Sequence, residues 1–243
     1  GPAHEADLRR ATDGGVLMDV RRFIAGACPR SAGPPRGHPL VPASARWRGL
    51  RIGLLGGSFN PAHEGHLHIS REALKRLALH HVWWLVSPQN PLKPRRGMAP
   101  LAERLATART VARHPRIHVS ALETRLGTVY TVDTLARLRA AVPGAAFVWL
   151  MGADNLSELV KWCRWRELAS LVPLAVMDRD RYAFKGLAGK FAQCFRHHRL
   201  PQGARKALAT TPTPVWTFIS LRRHPISATA LREGGGGAGA SEE

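Results

Sequence analysis

The chain has 243 residues, 44% of them hydrophobic, with 36 Lys and Arg against 17 Asp and Glu for a formal net charge of +19. That length suffices for a single sizeable α/β core or at most two small ones, and the apolar content excludes a wholly disordered chain. No run nears the roughly 18 unbroken apolar residues of a membrane helix.

Residues 1–48 hold six prolines, eight arginines and no lysine. They show no sustained period of 2 or 3.6, and are expected to form a flexible Pro/Arg-rich extension. The short apolar stretch ending at Cys28 is cut off by Pro29 and Arg30, too soon for an export signal. From Leu50 apolar strand patterns alternate with helical ones. Strands are predicted over Arg51–Gly56, Val82–Val86, Ile117–Ser120, Ala146–Met151, Leu174–Met177 and Val215–Ile219. Helices are predicted over about Gly65–Leu79, Leu101–Arg113 and Thr131–Ala141, with one more between the fourth and fifth strands and a short one from Ser227. This alternation implies βαβ units in a doubly wound, mostly parallel sheet of Rossmann type, with ligands at the carboxyl ends of the strands. The predicted divisions are therefore an extension over 1–48, an α/β domain over 49–233 and a glycine-rich, disordered tail over 234–243.

The charge invites an anion, either nucleic acid or a phosphorylated metabolite. Arg outnumbers Lys thirty to six in a chain rich in Ala, Gly and Pro, however, and genome composition alone can produce that bias. Three cysteines, Cys28, Cys163 and Cys194, form no CxxC pair and are odd in number. This argues against a disulfide framework and for a reducing, cytoplasmic setting.

Gly56-Gly57-Ser58-Phe59-Asn60-Pro61-Ala62-His63-Glu64-Gly65-His66 joins the first strand to the first helix. Two glycines without Cβ let backbone approach a bulky anion, and free amides at a helix start attract negative charge. His63 and His66, three apart at that helix start, can both donate to phosphate oxygens. The spacing is neither a Walker loop nor GxGxxG. A metal reading of His63, His66 and His68 has no Cys or acidic cluster behind it. Near the other end, Ser227, Thr229 and Arg232 form a second anion-binding pattern of N-cap, hydroxyl and planar guanidinium. Alone, that pattern is ordinary capping.

Together these segments resemble the GxFxPxHxGH and ISxTxxR motifs of the nucleotidyltransferase superfamily. More closely, the chain is similar to the bacterial nicotinate mononucleotide adenylyltransferases. The resemblance runs from about Leu50 to Glu233 and includes the Ser87–Lys93 loop, the Thr128–Leu135 segment, Met151–Asn155, Trp162 with Trp165, and Arg179.

The resemblance implies transfer of AMP from ATP to nicotinate mononucleotide in NAD biosynthesis, with Mg²⁺ accompanying ATP and no resident metal. It assigns His63, His66 and Arg232 to catalysis. Gly56, Gly57, Ser58, Phe59, Gly152, Asp154, Arg179, Ser227 and Thr229 fall to ATP, and Lys93, Tyr130, Thr131 and Trp162 to the mononucleotide. Read as residues alone, Trp162 also fits core packing, Asp154 a helix cap and Lys93 a solvated loop charge. Asn60 stands where many members carry Asp, and is read as structural. Gly234–Gly237 stands where the family continues in a helix, which leaves the C-terminal packing and any homo-oligomer open. The rival acceptors are nicotinamide mononucleotide and pantetheine phosphate. A basic nucleic-acid-binding module is the rival from another class, but no RNA- or DNA-reading motif is present, and no membrane partner is expected.

Overall fold

In a computed structural model, residues 28, 30–31, 44–88, 97–178 and 186–221 are described. The chain divides into two compact units, Gly1–Arg30 and Ser31–Glu243, and the elements that follow belong to the second.

Six strands form one sheet: β1 (Arg51–Gly57), β2 (His81–Val86), β3 (Ile117–Ser120), β4 (Ala146–Gly152), β5 (Leu174–Asp178) and β6 (Trp216–Ser220). Their order is β3-β2-β1-β4-β5-β6 and all five pairings are parallel. The sequence reason is burial on both faces, which selects continuous apolar runs over alternation. In β2, Val82, Trp83, Trp84, Leu85 and Val86 are all buried, and β4 repeats the pattern from Phe147 to Gly152. Leu54 of β1 sits between Trp83 of β2 and Trp149 of β4.

Helix α1 (Glu64–Arg76) follows β1 and buries Leu67, Ile69, Ser70, Ala73 and Leu74. The Trp84 indole N–H donates to Ser70 Oγ at 2.7 Å, and that hydroxyl donates to the His66 carbonyl at 2.8 Å. A buried polar tie therefore fixes α1 on β2 and leaves neither group unsatisfied. Helix α2 (Leu101–Val111) follows β2, and α3 (Leu122–Leu126) and α4 (Thr131–Ala141) follow β3. After β4 come α5 (Ala153–Glu158) and α6 (Trp165–Leu171), and α7 (Lys190–Cys194) lies between β5 and β6.

The expected strands and the three placed helices are present, with no boundary displaced by more than three residues. The single helix expected between β4 and β5 is instead three pieces: α5, a 3₁₀ turn over Leu159–Lys161, and α6. The breaks have local causes, since Trp162 is extended and Arg164 sits at φ 48 in the left-handed region. Helices α3 and α7, too short for a periodic signal, were not expected. Gly127 ends α3 at φ 59, a conformation glycine adopts without penalty. Cys163 is disulfide-bonded, against the expectation of reduced thiols, while Cys194 is free and exposed. Sequence spacing says nothing of which sulfurs meet in space. The short helix expected from Ser227 lies outside the described residues.

The topology places the site. Strand order reverses between β1 and β4, so the connections leave in opposite directions and open a crevice beyond their carboxyl ends.

Candidate active site

The floor of the crevice is the turn from β1 into α1. A Cβ at Gly56 would lie 2.8 Å from Cζ2 of Trp149 and closer still to Cη2, so the indole of β4 requires glycine there. Gly57 is roomier, its nearest neighbours being atoms of the Phe59 ring at 3.5 Å and beyond. Phe59, in the left-handed region at φ 48, turns its ring inward, and it is 2% exposed. It stacks on Trp84 with centroids 5.1 Å apart and lies 4.7 Å from the His66 ring. Of the residues assigned to ATP, Phe59 thus has its side chain beneath the loop, supporting His66. Asn60 is structural: its Nδ2 donates to the Gly97 carbonyl at 2.9 Å, and its Oδ1 accepts from the Ala99 amide at 3.1 Å.

His63 and His66 build the start of α1. His63 is the N-cap, and its Nδ1 accepts from the Gly65 amide at 3.1 Å. His66 reaches back, its Nδ1 accepting from the His63 amide at 3.2 Å. This is a capping box made with two imidazoles where a hydroxyl and a carboxamide or carboxylate are usual. An Nδ1 that accepts carries no proton, so each neutral ring carries it on Nε2, as a donor. The loop therefore combines two imidazole donors with the N-terminal amides and dipole of a 13-residue helix.

Across the crevice, β4 ends at Gly152, the N-cap of α5. Asp154, exposed in the first turn of α5, places Oδ1 where a Gly152 Cβ would stand. Trp162 is half-buried and packs edge-on against Trp149, with centroids 6.3 Å apart at 82°. Trp149 thus touches both sides of the site, lying under Gly56 and against Trp162. Tyr130, buried, is the N-cap of α4, and Thr131 opens that helix half-buried. Burial, then the nearby Asp133 carboxylate, raises the Tyr130 pKa. Asp133 itself is held below the usual range: the Ser31 and Arg164 hydrogen bonds outweigh burial, which pushes the other way and is the largest single influence. Lys93, Arg179, Ser227, Thr229 and Arg232 lie outside the described residues.

Four contributors escaped the sequence reading: Arg104, Glu123, Trp149 and Ser31. Ser31 lies within the stretch expected to be flexible. Its amide donates to Asp133 Oδ2 at 2.6 Å, its Oγ accepts from the Val129 amide at 3.0 Å, and its carbonyl accepts from Arg137 at 2.9 Å. No local signal marks such a contact, because its partners are about a hundred residues away. Glu123 and Arg104 are charged residues in short helical patterns, where exposure is the ordinary expectation.

Glycine loop, capped helix and switch-point crevice define a nucleotidyltransferase site of the cytidylyltransferase-like class, and the profile of that family matches residues 54–234. The chain is 51% identical over 183 residues to a protein of Methylorubrum extorquens named "Probable nicotinate-nucleotide adenylyltransferase", covering 75% of this chain and 99% of that protein. A protein of the same name from Parvibaculum lavamentivorans is 51% identical over 188 residues, 77% of this chain and 94% of its own length. The chain belongs to the nicotinate-nucleotide adenylyltransferase family. Its fold matches a solved structure of Plasmodium falciparum nicotinic acid mononucleotide adenylyltransferase, complexed with NaAD, at a TM-score of 0.55 and 15% identity over 76% of this chain and 83% of that one. Among the described residues no helix is long and apolar enough to cross a membrane.

Proposed function

We propose that this chain transfers the AMP moiety of ATP to nicotinate mononucleotide, releasing pyrophosphate and forming nicotinate adenine dinucleotide for NAD biosynthesis. The observation that carries this is the His63–His66 capping box at the β1–α1 turn, in a chain about half identical to enzymes named for that reaction.

The chemistry requires no protein nucleophile. An oxygen of the mononucleotide phosphate attacks the α-phosphorus of ATP, a new P–O bond forms, and the bond to the β-phosphate bridging oxygen breaks. The electron pair leaves with pyrophosphate. The protein aligns the two phosphates and stabilises the charge developing on the leaving group. The Nε2–H groups of His63 and His66 and the first amides of α1 supply donors for that charge. Gly56, Gly57 and Ser58 line the phosphate path, with Gly152 and Asp154 toward the adenosine. Arg179, Ser227, Thr229 and Arg232 are assigned to the β- and γ-phosphates. Trp162 stacks on the pyridine ring, with Tyr130 and Thr131 behind it and Lys93 toward the acceptor phosphate.

Nucleotidyltransferases of this family generally use a divalent metal with ATP. At the β1–α1 turn the donors are imidazoles and amides, with Asn60 where a carboxylate would serve a hard cation. Among the described residues no group of three or more His, Cys, Asp or Glu is placed to hold a metal. The described residues thus supply no donor set for a resident ion, and Mg²⁺ is read as arriving with ATP as the MgATP co-substrate. A cytoplasmic location belongs to the same reading.

The test is pyrophosphate release from MgATP with nicotinate mononucleotide, nicotinamide mononucleotide or pantetheine phosphate. Rapid release with the first and much less with the others is expected. Equal release with pantetheine phosphate, or none with any acceptor, overturns the assignment.

A further inference from the structure

Arg104 sits on α2, one strand away from the crevice, and is 3% exposed. Its guanidinium has no ionic partner among the described residues. Main-chain carbonyls receive four of its hydrogen bonds instead. Nη1 donates to Ser58 at 2.6 Å and to Ser87 at 2.8 Å, Nη2 to Pro88 at 3.0 Å, and Nε to Ala99 at 2.9 Å. Those carbonyls belong to three separate segments. Ser58 is in the glycine loop assigned to ATP, and Ser87 and Pro88 open the sequence segment whose Lys93 is assigned to the acceptor phosphate. Ala99 leads into α2, on the segment that Asn60 also holds.

Burying a guanidinium is costly, and a fold that needed only packing here would use Leu or Met. What the cation adds is geometry: five N–H groups in a rigid plane, which an ammonium cannot match. Ser87 is the node. Its amide donates to the Gly57 carbonyl at 2.9 Å, its carbonyl accepts from Arg104, and its hydroxyl bonds the buried Glu123 carboxyl. The ends of β1 and β2 are thereby joined twice, once through the strand ladder and once through one side chain.

We propose that Arg104 is a positioning residue that fixes the ATP loop and the acceptor loop at the separation in-line transfer requires. The proposal rests on the adenylyl-transfer reading above. Arg104 contacts neither substrate. Each loop keeps its own binding groups without Arg104, but the two drift relative to one another. Misplacement of reacting groups by about 1 Å costs on the order of 10²-fold in rate.

The experiment compares wild type with Arg104→Lys and Arg104→Gln. Thermal unfolding confirms that each variant is folded at the assay temperature, and kcat and both KM values are measured per folded protein. The expected result is a kcat loss of about 10- to 100-fold in both, with KM for ATP and for nicotinate mononucleotide each within about threefold of wild type. Lys should fail to rescue, because it cannot span carbonyls on three segments. A residue that merely stabilises the fold would lower the unfolding temperature and leave kcat per folded molecule untouched. A kcat within twofold of wild type in folded Arg104→Lys overturns the proposal, and so does failure of both variants to fold. Wild-type activity on nicotinate mononucleotide, measured alongside, separates this outcome from failure of the functional assignment itself.

Discussion

The rings of His63 and His66 lie 3.9 Å apart between centroids, and each Nδ1 takes a backbone N–H from the turn the two residues share. In the proposed function the histidines do two jobs: Nδ1 closes the start of α1, and Nε2 keeps a proton for phosphate. These jobs separate by mutation. Asn is among the best N-cap residues but has no imidazole donor, so His63→Asn should unfold within a few degrees of wild type while losing turnover. His63→Ala should lose turnover and also about 1 kcal/mol of stability. His66→Ala should lower kcat by about 10². Thermal melts paired with pyrophosphate-release kinetics read both effects, and near-normal turnover in folded His66→Ala would remove that residue from catalysis.

Gly56 and Gly57 are adjacent in sequence and different in environment. At Gly56 an added methyl runs into the Trp149 indole, which is itself wedged in the sheet. Gly56→Ala should cost about 1–3 kcal/mol and disturb the crevice floor. At Gly57 the methyl meets only ordinary contact with the Phe59 ring. Gly57→Ala should therefore fold normally and, on the proposed reading in which the Gly57 backbone lines the phosphate path, raise KM for ATP. Equal melting temperatures for the two variants would contradict the packing account.

The fold was legible because buried parallel strands announce themselves. Val82–Val86 and Ala146–Met151 have no other economical reading, and the helices between them carry clear periods. The glycine–histidine turn was legible for a related reason, since its chemistry is compressed into eleven consecutive residues. Trp149 was not legible as a site residue, because in sequence it is one more apolar residue of a strand. Its role comes from register, which sets it opposite Leu54 and brings its ring under Gly56. Arg104 and Ser31 were invisible for the same reason: their partners are distant in the chain and mostly main-chain atoms. The helix predicted between β4 and β5 broke because Trp162 and Arg164 adopt non-helical backbone, a tertiary demand that local propensity does not express.

Trp162 is half-buried, and among the described residues its ring meets Trp149 in a T-shaped contact. A side chain serving only the core would be fully covered. Trp162→Ala should raise KM for nicotinate mononucleotide about tenfold or more and leave KM for ATP within about threefold, since stacking is worth roughly 1–3 kcal/mol. Trp162→Phe should recover most of the loss. Parallel increases in both KM values would point to a collapsed crevice instead of a lost stacking partner.

Glu123 gives the molecule a pH dependence of predictable sign. Its side chain is buried, and desolvation pushes its pKa from 4.5 up to about 7, against the opposing pull of hydrogen bonds from the Ser87 and Thr134 hydroxyls. Below pH 4.5 the group is protonated in both folded and unfolded chains and contributes no slope. Between pH 4.5 and about 7 the unfolded chain releases this proton while the folded chain holds it, so stability falls as pH rises. Above about 7 both forms are ionised and the loss levels off, at no more than about 3 kcal/mol. Gln keeps one carbonyl oxygen to accept a hydroxyl hydrogen bond and has no charge to bury. Glu123→Gln should therefore match wild type near pH 4 and be the more stable of the two at pH 8. Chemical denaturation across that range checks it, and parallel curves for the two proteins would show that burial of Glu123 is not the source of the slope.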